Sequence, residues 1–189
     1  MLSVLTRAIE ARDPYTLGHS ARVTTLAEEV ARRLGWSAEQ LASLRIGGPL
    51  HDIGKLAVSD QVLGKEGSLD PEELAQIREH PKTGARILLR MAAMRAAIPY
   101  VLYHHERWDG SGYPSGKAGE EIPVEARVLA VADAFDAMTS DRPYRRALTR
   151  GQALTEIQRC AGTQFDPEIA HVFLELFAEA ELPVAAAAS

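Results

Sequence analysis

The segment Val128-Leu129-Ala130-Val131-Ala132-Asp133-Ala134-Phe135 is apolar at every position but one. Pro123 upstream opens a helix that reaches about Ser140, and the run lies within it. A lone carboxylate among residues that read as buried is expensive unless it is paired or coordinates a metal. An ion pair with a buried arginine is the plain alternative. Asp133 therefore sets two questions for the rest of the chain: which helices cover this one, and what Asp133 faces.

Helical periodicity continues on both sides, and strand signals are scarce. Residues 2–12 form a first helix stopped by Asp13-Pro14. Thr16 caps a second, about 17–34, with Leu17, Ala21, Leu26, Val30 and Leu34 as its apolar stripe and Gly35 as its stop. Ser37 caps a third from Ala38 to about Leu50, where Gly47-Gly48-Pro49 permits close packing or a local distortion. Residues 54–70 look irregular. Asp70-Pro71-Glu72-Glu73 combines an N-cap, a first-turn proline and acidic residues against the helix dipole. That helix runs to about His80, and Pro81 begins another through Met94. A helix at about 95–106, a loop at 107–121, the Pro123 helix, a helix capped by Thr149 and a last one begun by Asp166-Pro167-Glu168 complete the chain. The expected fold is all-α, a bundle of seven to nine helices in one domain over 1–182, with a flexible tail at 183–189.

The 189 residues suffice for one sizeable core, and 46% hydrophobic with 25% charged is ordinary for a globular protein. No apolar run approaches the ~20 residues that span a bilayer, and no secretory segment opens the chain. Cys160 is the single cysteine, which suits a reducing cytoplasm. A net charge of -5 argues against bulk DNA or membrane binding, although metal ions and a few arginines can make one cleft locally positive.

Chemistry concentrates in the histidines. His104-His105-Glu106-Arg107-Trp108-Asp109-Gly110-Ser111-Gly112-Tyr113-Pro114 places two imidazoles beside a Gly-rich loop that a packed core does not need. His19 stands early on the second helix, His51-Asp52 ends the third, and His80 ends another at a proline break. His171, between Ala170 and Val172, lacks such company and reads as structural. Seven candidate ligands, His19, His51, Asp52, His80, His104, His105 and Asp133, are too many for one tetrahedral site and fit two metals sharing a bridging carboxylate. Imidazole with carboxylate suits Fe, Mn, Zn, Co or Ni without choosing among them. Two metals roughly 3.5–4 Å apart can clamp a phosphodiester and activate a bridging water for in-line attack, with Lys55 offsetting the added charge. No Ser-His-Asp set, P-loop or dinucleotide fingerprint competes.

These motifs resemble those of the HD-GYP family of metal-dependent phosphohydrolases. The likeness rests on Leu50-His51-Asp52-Ile53-Gly54-Lys55, on His104-His105-Glu106 with Gly112-Tyr113-Pro114, and on Ala132-Asp133-Ala134-Phe135-Asp136-Ala137-Met138-Thr139-Ser140-Asp141-Arg142-Pro143-Tyr144-Arg145. It extends from Asp13-Pro14-Tyr15-Thr16 to Phe165-Asp166-Pro167. The resemblance implies a helical HD fold and opening of cyclic di-GMP to linear pGpG and, in some members, GMP. It implies the seven ligands above, with Asp52 as bridge and catalytic together with Lys55, which meets phosphate. Tyr113, Arg142 and Arg145 are implied at the substrate, and Asp13, Glu106 and Asp136 behind the ligands. Some members carry a Glu four residues before the first ligand histidine that supports a third metal. Here Tyr15 occupies that place, so two divalent ions are expected, Fe or Mn first and Zn, Ni or Co as alternatives.

Hydrolysis of another cyclic dinucleotide or nucleotide is the rival enzymatic expectation, because a fold does not fix a substrate. A weakly active cyclic di-GMP sensor and an oxygen-activating di-iron protein are the others. The family's domains are often joined to a receiver or sensor domain, and the helix at 2–12 is where such a partner or a second protomer could pack.

Overall fold

The computed structural model describes residues 5–7, 11–12, 18–65, 67–141 and 146–180. Asp13, Tyr15, Thr16, Arg142, Arg145 and the 183–189 tail lie outside the described residues. Among those described, nine α-helices follow one another: α1 His19–Arg33, α2 Ala38–Leu50, α3 Asp60–Leu63, α4 Pro71–Arg78, α5 His80–Leu89, α6 Ile98–Tyr103, α7 Val124–Thr139, α8 Arg150–Arg159 and α9 Pro167–Ala180. Short 3₁₀ turns at Ile53–Ala57, Ala92–Ala97 and Gly119–Glu121 link them. The described residues contain no strand, only an isolated bridge between Ala161 and Phe165.

Local sequence accounts for the clearest boundaries. Ser37 accepts from Gln40 N while Gln40 reaches back to Ser37 N, a reciprocal cap. Asp70 with Glu73 and Thr149 with Gln152 repeat it at the starts of α4 and α8. Leu34 and Gly35 end α1, the glycine at φ 75°.

Three expectations need correction. The apolar stripe expected for the 17–34 helix meets the buried face, which is His19, Ser20, Val23, Ala27, Val30 and Ala31, only at Val30; Leu17 lies outside the described residues. Ala21 is exposed and Leu26 only half-buried, because the helix turns its small residues and its histidine inward. His80 begins α5 rather than ending the helix before it, since α4 stops at Arg78. Pro81 then sits in the first turn of α5, where its missing N–H costs nothing. Finally, α5 ends at Leu89 rather than Met94, and α6 covers only Ile98–Tyr103 of the expected 95–106.

Two apolar clusters form the interior. The larger joins α1, α2, α7, α8 and α9 through residues such as Val23, Leu44, Leu129, Ile157 and Phe173. The smaller gathers Leu50, Ile53, Leu88, Met94, Ala97 and Val101 around the end of α2. Burying each large aliphatic side chain is worth roughly 1.5–3 kcal/mol. Helix α2 contributes Leu41 and Leu44 to one cluster and Leu50 to the other. It can lie close to α6 because position 47 is glycine: a Cβ there would stand 2.2 Å from the Tyr100 ring. The histidines sit where these two clusters meet.

Candidate metal centre

Seven side chains converge at this junction in two groups. Asp52, His80, His104 and His105 form one; His19, His51 and Asp133 form the other. Within each group every donor atom lies within 4.8 Å of the rest. The larger group comes from elements of the smaller cluster, while His19 and Asp133 come from α1 and α7 of the larger one. His51-Asp52 follows α2, which belongs to both.

Three of the histidines share one local device. His51 Nδ1 bonds the carbonyl of Gly48 at 2.7 Å, His80 Nδ1 that of Ile77 at 2.7 Å, and His104 Nδ1 that of Val101 at 3.0 Å. Each acceptor lies three residues earlier, in the last turn of a helix, where carbonyls lack intrahelical partners. Donation from Nδ1 leaves Nε2 as a lone pair pointing into the junction. His80 Nε2 and His104 Nε2 then face one another at 3.2 Å, acceptor to acceptor. A divalent cation resolves such a contact, so the donor set fits a metal by its own chemistry.

Asp52 stands between the groups. Its Oδ1 lies 3.2 Å from His80 Nε2 and 3.8 Å from His104 Nε2, while its Oδ2 lies 2.8 Å from Lys55 Nζ and 3.5 Å from His51 Nε2. Burial works against ionising Asp52, yet Lys55, His51 and His80 hold its carboxyl well below the usual range. Asp133 meets His19 Nε2 at 3.2 Å, and no arginine partner takes it among the described ion pairs. Burial opposes its charge as well, and the hydrogen bond from His19 with nearby rings keeps it ionised.

The rings differ in proton affinity. Burial disfavours charge on His19, but hydrogen bonds to Asp133 and Asp136 overcome it and raise its pKa to about 9. Burial, joined by neighbouring His80, pushes His105 down to about 4, and burial with His105 lowers His104.

The other expected site residues divide by place. Asp136 Oδ2 takes the Nδ1 proton of His19 at 2.7 Å. Glu106, buried, turns away from the rings: its Oε1 accepts from Ser115 N at 2.7 Å and its Oε2 from Lys117 N at 3.2 Å, tying down the Gly-rich loop. Tyr113 stacks on His105 with centroids 4.8 Å apart. Within the same loop, a Cβ at Gly112 would lie 2.3 Å from Arg107 N, so this close approach requires glycine. His171 is exposed and pairs with Glu175, away from the centre.

Two residues that the sequence reading passed over also belong here. The Arg78 guanidinium lies 5.3 Å from the Tyr113 ring centroid and makes no ion pair among those described. Arg22 grips Asp136 from the outer side, Nε to Oδ1 at 2.6 Å and a terminal nitrogen to Oδ2 at 3.0 Å. The signal for Arg22 was legible, since His19/Arg22 and Asp133/Asp136 are both i, i+3 pairs. Arg78 had no comparable mark, because its meeting with Tyr113 depends on tertiary packing.

Comparison with known proteins agrees with this geometry. The family model described as HD domain matches residues 3–169. The cyclic di-GMP phosphodiesterase response regulator RpfG of Xanthomonas campestris is 44% identical over 184 residues, covering 95% of this chain and 48% of its own length. A 3'3'-cGAMP-specific phosphodiesterase of Vibrio cholerae is 37% identical over 173 residues, covering 90% of this chain and 33% of its own. The chain thus spans half or less of the length of these relatives. Among solved structures, the cyclic GMP-AMP-specific phosphodiesterase V-cGAP3 of Vibrio cholerae superposes with a TM-score of 0.70 at 22% identity, covering 94% of this chain and 47% of its own, a likeness of fold. With the family model over most of its length and His51-Asp52 and Gly112-Tyr113-Pro114 in their places, the chain belongs to the HD-domain family, in its HD-GYP branch.

Proposed function

We propose that this chain is a metal-dependent phosphodiesterase that opens cyclic di-GMP to linear pGpG, with GMP the product if hydrolysis continues, acting in the cytoplasm. The observation that carries the reading is the split of seven nitrogen and oxygen donors into two groups joined by Asp52, with Lys55 beside the joint. The donor set suits two divalent ions, iron or manganese first, held by His80, His104 and His105 on one side, by His19, His51 and Asp133 on the other, and by Asp52 between. Such a pair supplies Lewis acidity to phosphoryl oxygens and lowers the pKa of bound water.

The chain's own groups do the rest. Asp52 fixes Lys55 at 2.8 Å, placing an ammonium where the non-bridging oxygens of a phosphodiester gain charge. The buried rings exclude bulk water and strengthen each of these interactions. Tyr113 and Arg78 form a rim of aromatic face and positive charge suited to an anionic purine dinucleotide. Arg142 and Arg145 carry the guanidiniums that suit phosphate or a guanine edge. The domain extends over 1–182. Relatives named for both cyclic di-GMP and 3'3'-cGAMP support a cyclic dinucleotide as substrate and leave 3'3'-cGAMP as the competing one.

The test is turnover by anaerobically purified protein loaded separately with Fe(II) and Mn(II). Cyclic di-GMP and 3'3'-cGAMP are supplied in parallel, products are separated by chromatography, and Asp52→Ala serves as control. Appearance of pGpG or GMP from cyclic di-GMP with the intact protein alone is expected. Faster consumption of 3'3'-cGAMP reassigns the substrate, and two untouched dinucleotides overturn the enzymatic reading.

A further inference from the structure

His19 departs from the device shared by His51, His80 and His104. Its Nδ1 meets a carboxylate, Asp136 Oδ2 at 2.7 Å, instead of a carbonyl. Its Nε2 meets a second carboxylate, Asp133 Oδ1 at 3.2 Å. A metal at Nε2 requires a neutral ring, and the two carboxylates then compete for its single proton. With the proton on Nδ1 toward Asp136, Nε2 and Asp133 both remain open as metal donors. With the proton on Nε2 toward Asp133, both are closed. The choice depends on how firmly Asp136 is aimed.

We infer that Arg22 is a positioning residue that makes this choice, and that it sets the metal affinity of the His19, His51 and Asp133 half of the centre separately from the other half. The inference rests on the two-metal reading above. Arg22 holds both oxygens of Asp136, Nε to Oδ1 at 2.6 Å and a terminal nitrogen to Oδ2 at 3.0 Å, a fork that fixes the carboxylate plane. The same terminal nitrogen reaches Ser140 Oγ at 3.3 Å, securing the arginine at the end of α7. The α1–α7 seam is thus built of two successive i, i+3 contacts, His19 with Asp133 and Arg22 with Asp136. Arg22 is the outermost member, its side chain 48% exposed against 5% for Asp136. His80 and His104 owe nothing to it, because backbone carbonyls orient them. His51 in its own half is braced by main chain as well, through the Gly48 carbonyl, so the side-chain relay from Arg22 through Asp136 bears on His19 and, through His19, on Asp133. Outer partners of ligand histidines typically change metal affinity by about 10- to 100-fold when replaced.

The experiment counts metal rather than product. Wild type, Arg22→Met, Arg22→Lys and Asp136→Asn are loaded with Mn(II) and dialysed against graded chelator. Metal per chain is read by mass spectrometry and ion–ion coupling by electron paramagnetic resonance. Wild type is expected to hold two coupled ions. Arg22→Met should keep one under conditions that leave wild type with two, its second returning only at about 10- to 100-fold higher free Mn(II), with an isolated-ion spectrum in between. Arg22→Lys should lie between them, and Asp136→Asn should follow Arg22→Met. The retained ion also reports that the variant has folded. Arg22→Met holding both ions with wild-type affinity, or losing both in parallel, overturns the inference. Wild type holding other than two ions overturns the two-metal reading and this inference with it, and shows itself before any substitution is compared.

Discussion

His80 Nε2 and His104 Nε2 lie 3.2 Å apart, and each ring has already committed its Nδ1 proton to a carbonyl. Two buried lone pairs in that position repel, and a cation between the neighbouring donors removes the repulsion. Metal that binds only the folded state stabilises by mass action, about 4 kcal/mol at a thousandfold excess over its dissociation constant. For a chain of this size that corresponds to a rise of roughly 10 °C in melting temperature. Scanning calorimetry of chelated and Mn(II)-reloaded protein checks it. Equal melting temperatures would remove the metal reading of these histidines.

Glu106 supports the loop and not the rings, so its replacement should separate loop order from metal binding. In Glu106→Gln one carboxylate oxygen becomes an NH₂ group facing a backbone N–H, either Ser115 or Lys117. A buried hydrogen-bonding group turned against its partner costs about 1–3 kcal/mol. The expected variant melts several degrees lower and exchanges the amides of 107–121 faster, with metal content unchanged. Loss of metal together with loop order would mean that the two are not separable.

Arg78 offers a similar separation on the substrate side. It is exposed and stands over Tyr113, which stacks on His105. Arg78→Ala should leave metal content and melting temperature as they were and raise KM for cyclic di-GMP about tenfold, the order of one charge-assisted contact. An unchanged KM would remove Arg78 from the substrate rim.

The sequence disclosed which residue types converge and most helix starts, because donor-bearing residues stand out singly and helix starts depend on neighbours a few residues away. Ser37 with Gln40, Asp70 with Glu73 and Thr149 with Gln152 are complete within four residues, and the structure places helix starts at all three. The sequence alone puts His80 at a helix end because Pro81 can break one helix or begin another, and in the structure it does the second. An apolar pattern favours Leu over Ala on the buried face of α1, while close packing against the neighbouring helices buries Val23, Ala27 and Ala31 there. What the histidines rest on, three carbonyls and one carboxylate, needs the helix ends to be known to the residue.

The histidines also give the metal-free fold a pH optimum. His19 has a folded pKa near 9, above its ordinary 6.5. Its contribution is therefore complete below about 6.5 and disappears as pH rises through 9. His105, depressed to about 4 by burial and by His80, acts in the opposite sense: its contribution holds above 6.5 and is lost as pH falls toward 4. Chelated protein should accordingly melt highest near pH 6.5 and lower on both sides. Asp136→Asn should flatten the alkaline limb by removing a partner of His19. A chelated protein with a level profile between pH 5 and 9 would contradict these assignments.

Gly54 is where the Asp52–Lys55 turn meets the helix of His80. A Cβ on Gly54 would stand 1.8 Å from His80 O and 2.8 Å from Gly84 N, both main-chain atoms that cannot rotate aside. Gly54→Ala must therefore push the turn away from α5, and with it Asp52 from His80, now 3.2 Å apart. Overpacking of this kind costs about 1–3 kcal/mol where side chains can adjust, and more is expected against main chain. The variant should melt at least 5 °C lower on that scale and lose metal from the Asp52, His80, His104 and His105 half first. Gly151→Ala is the matched control: it lies in the first turn of α8 with nothing within 4 Å of a new Cβ, so alanine should be accepted there without loss of stability. Measured side by side, a Gly54→Ala protein that melts like wild type and keeps wild-type metal content would show that turn and helix do not seat against each other as described.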